Sequence, residues 1–253
     1  MAGIYIHIPF CKQACSYCDF HFSTNQKLRK PVIDALCLEI EMRQSEICEP
    51  PSTLYFGGGS PSILDSQQLN QIFRSLSNAF DLSELKEVTL ESNPDDHSDE
   101  KLALWKSLGI NRLSIGIQSF IDRDLKLMNR AHNAQDAQLC VQKARDAGFE
   151  KVTLDLIYGI PNQTSVEWRS NIQRAIDLNP QHISAYCLTV EEKTALHHQL
   201  VKGEISEKDD EIIEQEYLTL HHMLSKAGYE HYEISNFGKP AHLASHNANY
   251  WKG

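Results

Sequence analysis

Short runs of β-branched and aromatic residues alternate along the chain with longer stretches that have helical periodicity. Each short run is bounded by Gly, Pro, Asn or Ser, which is typical of strands. We predict six strands, at residues 3–8, 53–56, 87–92, 112–117, 152–158 and 182–188, and a seventh near 229–234. The predicted helices cover residues 28–47, 66–79, 99–108, 134–147, 166–178 and 208–227.

Several of these helices carry start and stop signals. Thr164 and Glu167 have the spacing of a capping box, in which the two side chains satisfy free backbone N–H groups at the start of a helix. Gly109, Gly148 and Gly228 follow predicted helices, where a left-handed residue is expected. These signals support the alternation of strands and helices.

Six strands that alternate with helices predict an α/β fold with a parallel sheet. Six units are fewer than the eight that close a full barrel, so an open doubly wound sheet and an incomplete barrel both fit the pattern. In both folds ligands bind at the carboxyl ends of the strands. Polar or glycine-rich segments follow five of the predicted strands, and we expect them to meet on one rim.

The composition narrows the class of protein. Of the 253 residues, 41% are hydrophobic and 23% are charged, which is typical of one large globular domain or two small ones. No apolar run approaches the roughly 18 residues of a membrane span. The net charge of −10 argues against a nucleic-acid groove. The first strand lacks the features of a signal peptide, and seven cysteines at irregular spacing fit a reducing compartment. We therefore predict a cytoplasmic protein whose partners are small molecules or proteins.

Three of the cysteines lie close together after the first strand. Cys11, Cys15 and Cys18 have the spacing C-x3-C-x2-C, and no fourth cysteine follows nearby. Three thiolates can hold three irons of a cubane cluster and leave the fourth iron open to a ligand. The alternative is a zinc knuckle completed by His7 or His21, although the three-residue gap does not suit the usual pairs of zinc ligands.

Further candidates follow the next strands. Gly57, Gly58 and Gly59 would let a ligand approach the backbone, although a tight turn would also explain them. They lack the spacing of a P-loop or of a dinucleotide fingerprint.

Four polar residues lie at or near strand ends. They are Glu91, Gln118, Arg130 and Asp155. Such side chains could hold a sulfonium ligand that carries an amino acid and a ribose. The alternatives are a capping or salt-bridge role for Asp155 and a solvated charge for Arg130.

The segment 246–251 concentrates an imidazole, a phenol and an indole within six residues. It could be core packing, or it could hold a flat aromatic macrocycle with His246 as an axial iron ligand. The residues alone leave these two interpretations open.

Together these motifs resemble a known family. The cysteine spacing, with Tyr17 before the last cysteine, is the signature of the radical S-adenosylmethionine (radical SAM) superfamily. The strings at 5–11, 17–20, 57–61, 114–120 and 155–161 extend the resemblance to the oxygen-independent coproporphyrinogen III oxidase branch.

Within that branch the chain is more similar to the HemW heme chaperones than to the oxidase HemN. The oxidase has a further cysteine two residues after the third, where this chain has Phe20. The oxidase also has an N-terminal arm, whereas the first strand starts here at residue 3. The string 246–251 resembles the heme-binding motif of the chaperones.

The resemblance implies a partial (β/α)6 radical SAM barrel over residues 1–235, followed by the start of a C-terminal heme-binding segment at 236–253. The rest of the C-terminal domain is expected to be missing from this sequence. Cys11, Cys15 and Cys18 would bind a 4Fe–4S cluster. S-adenosylmethionine (SAM) would contact Tyr5, Gly58, Gly59, Ser60, Glu91, Gln118, Arg130 and Asp155. Heme would contact His246, Asn247, Tyr250 and Trp251.

The resemblance further implies a heme chaperone that binds the cluster, SAM and heme and delivers heme to apo-heme proteins of respiration. It also allows a homodimer. It assigns no catalytic residue, and enzymatic activity stays open. The alternative is the oxidase itself, which decarboxylates coproporphyrinogen III oxidatively to protoporphyrinogen IX by radical chemistry. A weaker alternative is a radical enzyme with another substrate.

Overall fold

The structure, a computed structural model, describes residues 2–250. Eight strands form one sheet: β1 Gly3–Ile8, β2 Thr53–Gly58, β3 Glu87–Ser92, β4 Arg112–Gln118, β5 Lys151–Tyr158, β6 His182–Cys187, β7 Glu230–His231 and β8 Asn236–Gly238. The α-helices are α1 Arg29–Met42, α2 Ser66–Ala79, α3 Asp99–Ser107, α4 Asp122–Leu127, α5 Ala134–Asp146, α6 Ser165–Asp177, α7 Ala195–Val201, α8 Asp210–Lys226 and α9 Ser245–Tyr250.

The order of the strands identifies the architecture. Across the sheet it is β1-β2-β3-β4-β5-β6-β8-β7, and the pairings from β1 to β6 are all parallel. A doubly wound sheet would reverse its order at a switch point, whereas successive strands lie side by side in a barrel. The described strands therefore form an open, partial (β/α)6 barrel, whose last parallel strand pairs antiparallel with β8.

The two faces of the sheet have different chemistry because side chains alternate along each strand. One face carries the apolar residues, such as Ile6, Phe56 and Leu154, which join the helices in one large core. The opposite face carries tyrosines and ionisable residues, among them Tyr55 and Glu91. In barrels of this kind ligands bind at the carboxyl ends of the strands, next to this polar face.

The predicted elements agree closely with the observed ones. Helix α2 has the predicted bounds, and Thr164 and Glu167 form the predicted capping box at the start of α6. Gly109, Gly148 and Gly228 all have positive φ, as expected after a helix. Short elements were not predicted, namely α4, α7, α9 and β8.

Helix α1 was predicted to run to residue 47, but it ends at Met42. A separate 3-10 turn, Gln44–Glu46, follows it. Strand β7 is shorter than the predicted 229–234 because only two of those residues pair with β8. The short β8 begins at residue 236 and belongs to the same sheet, and the domain division at this point stays a prediction.

Within residues 2–250 no helix combines the length and the apolar character that crossing a bilayer requires.

Candidate functional site

A cavity of about 740 Å³ opens at the carboxyl ends of the parallel strands. Its lining contains every residue that the sequence predicted for the cluster and for SAM, namely Cys11, Cys15, Cys18, Tyr5, Gly58, Gly59, Ser60, Glu91, Gln118, Arg130 and Asp155. Segments far apart in the chain thus meet on one rim, because the carboxyl ends of parallel strands lie at one edge. The volume is within the range of small-molecule sites.

The cysteine loop follows β1 and is held at its base by backbone hydrogen bonds. The N–H of Cys11 donates to the carbonyl of Ser23 at 3.1 Å, and the N–H of Ser23 donates to the carbonyl of Pro9 at 2.7 Å. Further along, Ser16 donates through its N–H to Met128 and accepts from the N–H of Leu196. The ends of α4 and α7, two helices that the sequence did not predict, therefore support the loop from behind.

A buried carboxylate also fixes the loop. Lys12 lies 2.6 Å from a carboxylate oxygen of Asp95 and 2.6 Å from one of Asp96. Asp96 is almost fully buried, and it also accepts hydrogen bonds from Ser62 and Lys101. The ion pair connects the cysteine loop to the turn that follows β3.

The glycine segment after β2 packs against the cysteine loop. A Cβ atom added to Gly59 would lie 2.8 Å from the Phe10 carbonyl oxygen and 3.0 Å from Cys11 Sγ. Gly58 has a φ of 110°, which side chains rarely allow, and an added Cβ would lie 2.6 Å from the His7 ring. Glycine is therefore required here for close packing of the two loops, in addition to any contact with a ligand.

Glu91 ends β3 with its carboxylate in the cavity. One oxygen accepts a hydrogen bond from the Tyr55 hydroxyl at 2.8 Å, and the other accepts from the N–H of Gly58 at 3.1 Å. Burial raises the pKa of this carboxyl above its usual value, against the two hydrogen bonds, which lower it.

Asp155 lies on β5 in the same cavity. Its carboxylate accepts weak hydrogen bonds from the Ser114 hydroxyl at 3.3 and 3.4 Å. Burial, with a further contribution from the charge of Glu91, raises the pKa of Asp155 to about 7. Two carboxyls that resist ionisation form a site suited to a cationic ligand with hydroxyl or ammonium donors, since such a ligand would stabilise the charged forms.

Arg130 is half-buried, so the interpretation of it as a solvated charge is wrong. Its guanidinium lies 3.3 Å from Cys15 Sγ and donates to the Asn93 side chain and to the Gly116 carbonyl at 2.8 Å. Its Nε is buried without a hydrogen-bond partner among the described residues. An anionic group of a ligand could accept from it.

Gln118 is unusual in two ways. It has a φ of 65°, in the left-handed region, and its Oε1 is buried with no hydrogen-bond partner in the described part of the chain. Backbone strain and an unsatisfied buried acceptor are both typical of functional positions.

The predicted heme residues lie apart from this cavity. His246 is at the start of α9, its Nδ1 lies 2.9 Å from Thr53 Oγ1, and its ring stacks on Tyr55 at a centroid distance of 4.9 Å. Asn247 is half-buried on the same helix. The Tyr250 side chain and all of Trp251 lie outside the described residues.

A profile of the Radical SAM superfamily matches residues 5–175, which include the cysteine loop and the rim through β5. The chain belongs to the radical SAM superfamily.

Named relatives narrow the branch. The chain is 36% identical to the heme chaperone HemW of Lactococcus lactis over 98% of its own length and 65% of that protein. It is also 36% identical to the heme chaperone HemW of Bacillus subtilis, over 99% of its length and 67% of that protein. The chain thus spans about two thirds of these relatives, and the predicted resemblance to the HemW chaperones is confirmed.

A solved structure supports the fold. Coproporphyrinogen III oxidase (HemN) from Escherichia coli, a radical SAM enzyme, superposes with a TM-score of 0.82 and 27% identity. The match covers 95% of this chain and 56% of the oxidase. It confirms the predicted radical SAM barrel.

Membership of the radical SAM superfamily implies a 4Fe–4S cluster and SAM. The rim fits both groups. No group of three His, Cys, Asp or Glu residues among residues 2–250 is arranged to hold a single metal ion. A cubane cluster does not require such convergence, because its cysteines bind different irons. The unsatisfied Gln118 Oε1 and the two carboxyls of raised pKa offer acceptors to the donors of SAM.

Sequence reasoning missed two residues of this radical SAM site. Asn93 joins Arg130 to Ser60, to which it donates at 2.9 Å, and Tyr55 orients Glu91. Both lie beside predicted residues, Asn93 within the segment 91–94 that follows β3 and Tyr55 on the strand before the glycines. Strand alternation could have assigned Tyr55 to the polar face.

Proposed function

We propose that this radical SAM protein is a HemW-like heme chaperone. It binds a 4Fe–4S cluster, SAM and heme, and it delivers heme to apo-heme proteins of respiration. The curated relatives named HemW, at 36% identity over nearly the whole chain, support this proposal.

The observation that carries the proposal is the side chain at Phe20. The coproporphyrinogen III oxidase is expected to have a further cysteine there, and this chain has a phenyl ring that is 73% exposed at the mouth of the cavity. An apolar ring cannot bind iron, so this position does not supply the further cysteine that the oxidase is expected to have. The difference favours a heme carrier over an oxidase.

Cys11, Cys15 and Cys18 would hold the cluster. Burial raises the pKa of the Cys11 and Cys18 thiols, and each neighbouring thiolate raises it further. The cysteines therefore need cationic partners in order to ionise and bind as thiolates. Iron and the Arg130 guanidinium provide these positive charges.

The other rim residues would hold SAM. Glu91 and Asp155 offer acceptors for its ammonium and ribose hydroxyls, Arg130 offers a donor for its carboxylate, and Tyr5, Gly58, Gly59, Ser60 and Gln118 line the same cavity. When bound, the cluster supplies one-electron reduction chemistry to the sulfonium.

We propose His246 as the iron ligand of heme, and Asn247, Tyr250 and Trp251 as further heme contacts. Metal-binding histidines usually donate their second N–H to an acceptor, which fixes the tautomer. If His246 Nδ1 donates to Thr53 Oγ1, its Nε2 carries the lone pair that iron requires, and Nε2 has no hydrogen-bond partner among the described residues.

A heme titration tests the proposal. We expect the purified protein to bind hemin in a defined stoichiometry and to transfer it to apomyoglobin, used as a probe acceptor. In His246→Ala the absorption bands should shift and the affinity should fall. If the protein binds no more hemin than a control protein that lacks a heme site, the chaperone function is refuted. Unchanged absorption spectra in His246→Ala would refute only the assignment of the iron ligand.

The second candidate is the oxidase, and the HemN superposition at a TM-score of 0.82 is the observation in its favour. This candidate predicts conversion of coproporphyrinogen III to protoporphyrinogen IX. It would be a coproporphyrinogen dehydrogenase-type oxidoreductase.

Under either function we also expect the protein to be located in the cytoplasm.

A further inference from the structure

The C-terminal segment is anchored on the polar face of the sheet by a buried ion pair. Glu87 and Arg112 lie 3.1 Å apart, and both side chains are only 2% exposed. The Glu87 carboxylate accepts from the N–H groups of Ser245 and His246 at 3.1 and 3.0 Å. Arg112 donates to the carbonyls of residues 242 and 243. Helix α9 is thus held at the amino ends of β2 and β3, at the end of the barrel opposite the cysteine loop.

From this anchor the His246 ring lies against the polar face of β1 and β2. It packs on Tyr55 with ring planes 25° apart, and Tyr5 lies next, at a centroid distance of 6.5 Å. The hydrogen bond with Thr53 limits its rotation. There is little room for adjustment, since a Cβ added to Gly57 would lie within 2.9 Å of both tyrosine rings.

Tyr55 connects this ring to the cavity. Its hydroxyl makes one hydrogen bond among the described residues, to Oε1 of Glu91 at 2.8 Å. Oε2 of the same carboxylate is held by the Gly58 N–H, so the two contacts together set the plane of the carboxylate. A shift of the Tyr55 ring would turn Glu91.

We propose that His246 is a positioning residue of the SAM pocket: its ring holds Tyr55, and the Tyr55 hydroxyl holds the carboxylate of Glu91. This inference rests on the proposed function in one respect, namely that Glu91 contacts SAM. It couples the C-terminal segment to the far end of the barrel without any contact between His246 and SAM.

The test is the dissociation constant of SAM, measured by equilibrium dialysis against cluster-reconstituted protein. We expect His246→Ala to weaken binding about three- to tenfold, the range of one ordinary hydrogen bond, because the contact between Tyr55 and Glu91 is loosened and not removed. His242→Ala is the matched control, because that exposed side chain, four positions earlier, makes no contact with the pocket. It should bind SAM as the wild type does.

Two further variants separate positioning from a general loss of structure. His246→Phe keeps a stacked ring and should recover most of the affinity. Tyr55→Phe removes only the hydroxyl, so His246→Ala should have little further effect on SAM binding in that background. Additive effects of the two substitutions, or an unchanged affinity in His246→Ala, would overturn the inference.

Failure of the inference can be distinguished from failure of the proposed function. If the wild-type protein does not bind SAM, the proposed pocket is wrong. If it binds SAM and the variants bind equally well, the pocket stands and the role of His246 is wrong.

Discussion

The Lys12 ammonium lies 2.6 Å from a carboxylate oxygen of Asp96, whose side chain is 1% exposed. Lys12 directly follows Cys11, the first cysteine of the loop, and Asp96 belongs to the turn after β3, 84 positions further along the chain. Burial disfavours a charged carboxyl, yet the hydrogen bonds from Lys12 and Ser62 keep the pKa of Asp96 below its usual value. The contact therefore keeps an ionised group in the interior in order to fix the cysteine loop.

We expect Lys12→Met to loosen the cysteine loop. Asp96 retains Lys101 as a partner, so the free energy of unfolding should fall by only about 1 kcal/mol. The loss of iron to a chelator should be several times faster, because one anchor of the loop is gone. Lys27→Met is the control, since Lys27 is exposed in the segment before α1. Equal rates of iron loss in the two variants would contradict this role for Lys12.

Replacement of any one of the three loop cysteines by serine should abolish a stable cluster. Iron and sulfide analysis after anaerobic reconstitution measures this directly. The control is Cys187→Ser, because Cys187 lines the same cavity but lies outside the loop. If Cys187→Ser also loses the cluster while Cys18→Ser retains it, the assignment of ligands is wrong.

Asp155 should make the ligand-free protein less stable as the pH rises. Its pKa is about 7 in the folded chain and near 4 when unfolded, so between these values the folded state binds more protons. The free energy of unfolding therefore falls from about pH 4 to pH 7 and levels off above. Thermal unfolding of wild type and Asp155→Asn across this range gives the contribution as a difference. Parallel curves for the two proteins would exclude it.

Removal of one partner of the buried Glu87–Arg112 pair should be costly. We expect Arg112→Met to lower the free energy of unfolding by about 3–5 kcal/mol, because Glu87 would be left buried and unpaired. Denaturant unfolding measures the loss. The double variant Glu87→Leu/Arg112→Met should recover part of it, and a double variant that is as unstable as the sum of the single ones would contradict the pairing.

Much of this architecture could be predicted from local sequence. The six parallel strands follow from short β-branched runs with turn residues, and the cap at Thr164 from its spacing to Glu167. The joint position of the cysteine loop and Asp155 on one rim follows from the rule that parallel strands share their carboxyl edge.

The contacts that depend on distant segments could not be predicted. Lys12 and Asp96 give no local signal, since each is an ordinary charged residue until the fold brings them together. The segment around His246 has an ambiguous composition, and its anchoring on Glu87 is visible only once the strands are assembled. Short helices such as α7 depend on packing rather than on periodicity.

The central claim, that this radical SAM protein carries heme and is not a coproporphyrinogen III oxidase, is tested most directly by an anaerobic reaction. Reconstituted protein would be incubated with coproporphyrinogen III, SAM and a reductant, next to Escherichia coli HemN as a positive control. We predict no protoporphyrinogen IX from a preparation that binds hemin and passes it to apomyoglobin. Formation of protoporphyrinogen IX at a rate comparable to that of HemN would contradict the claim.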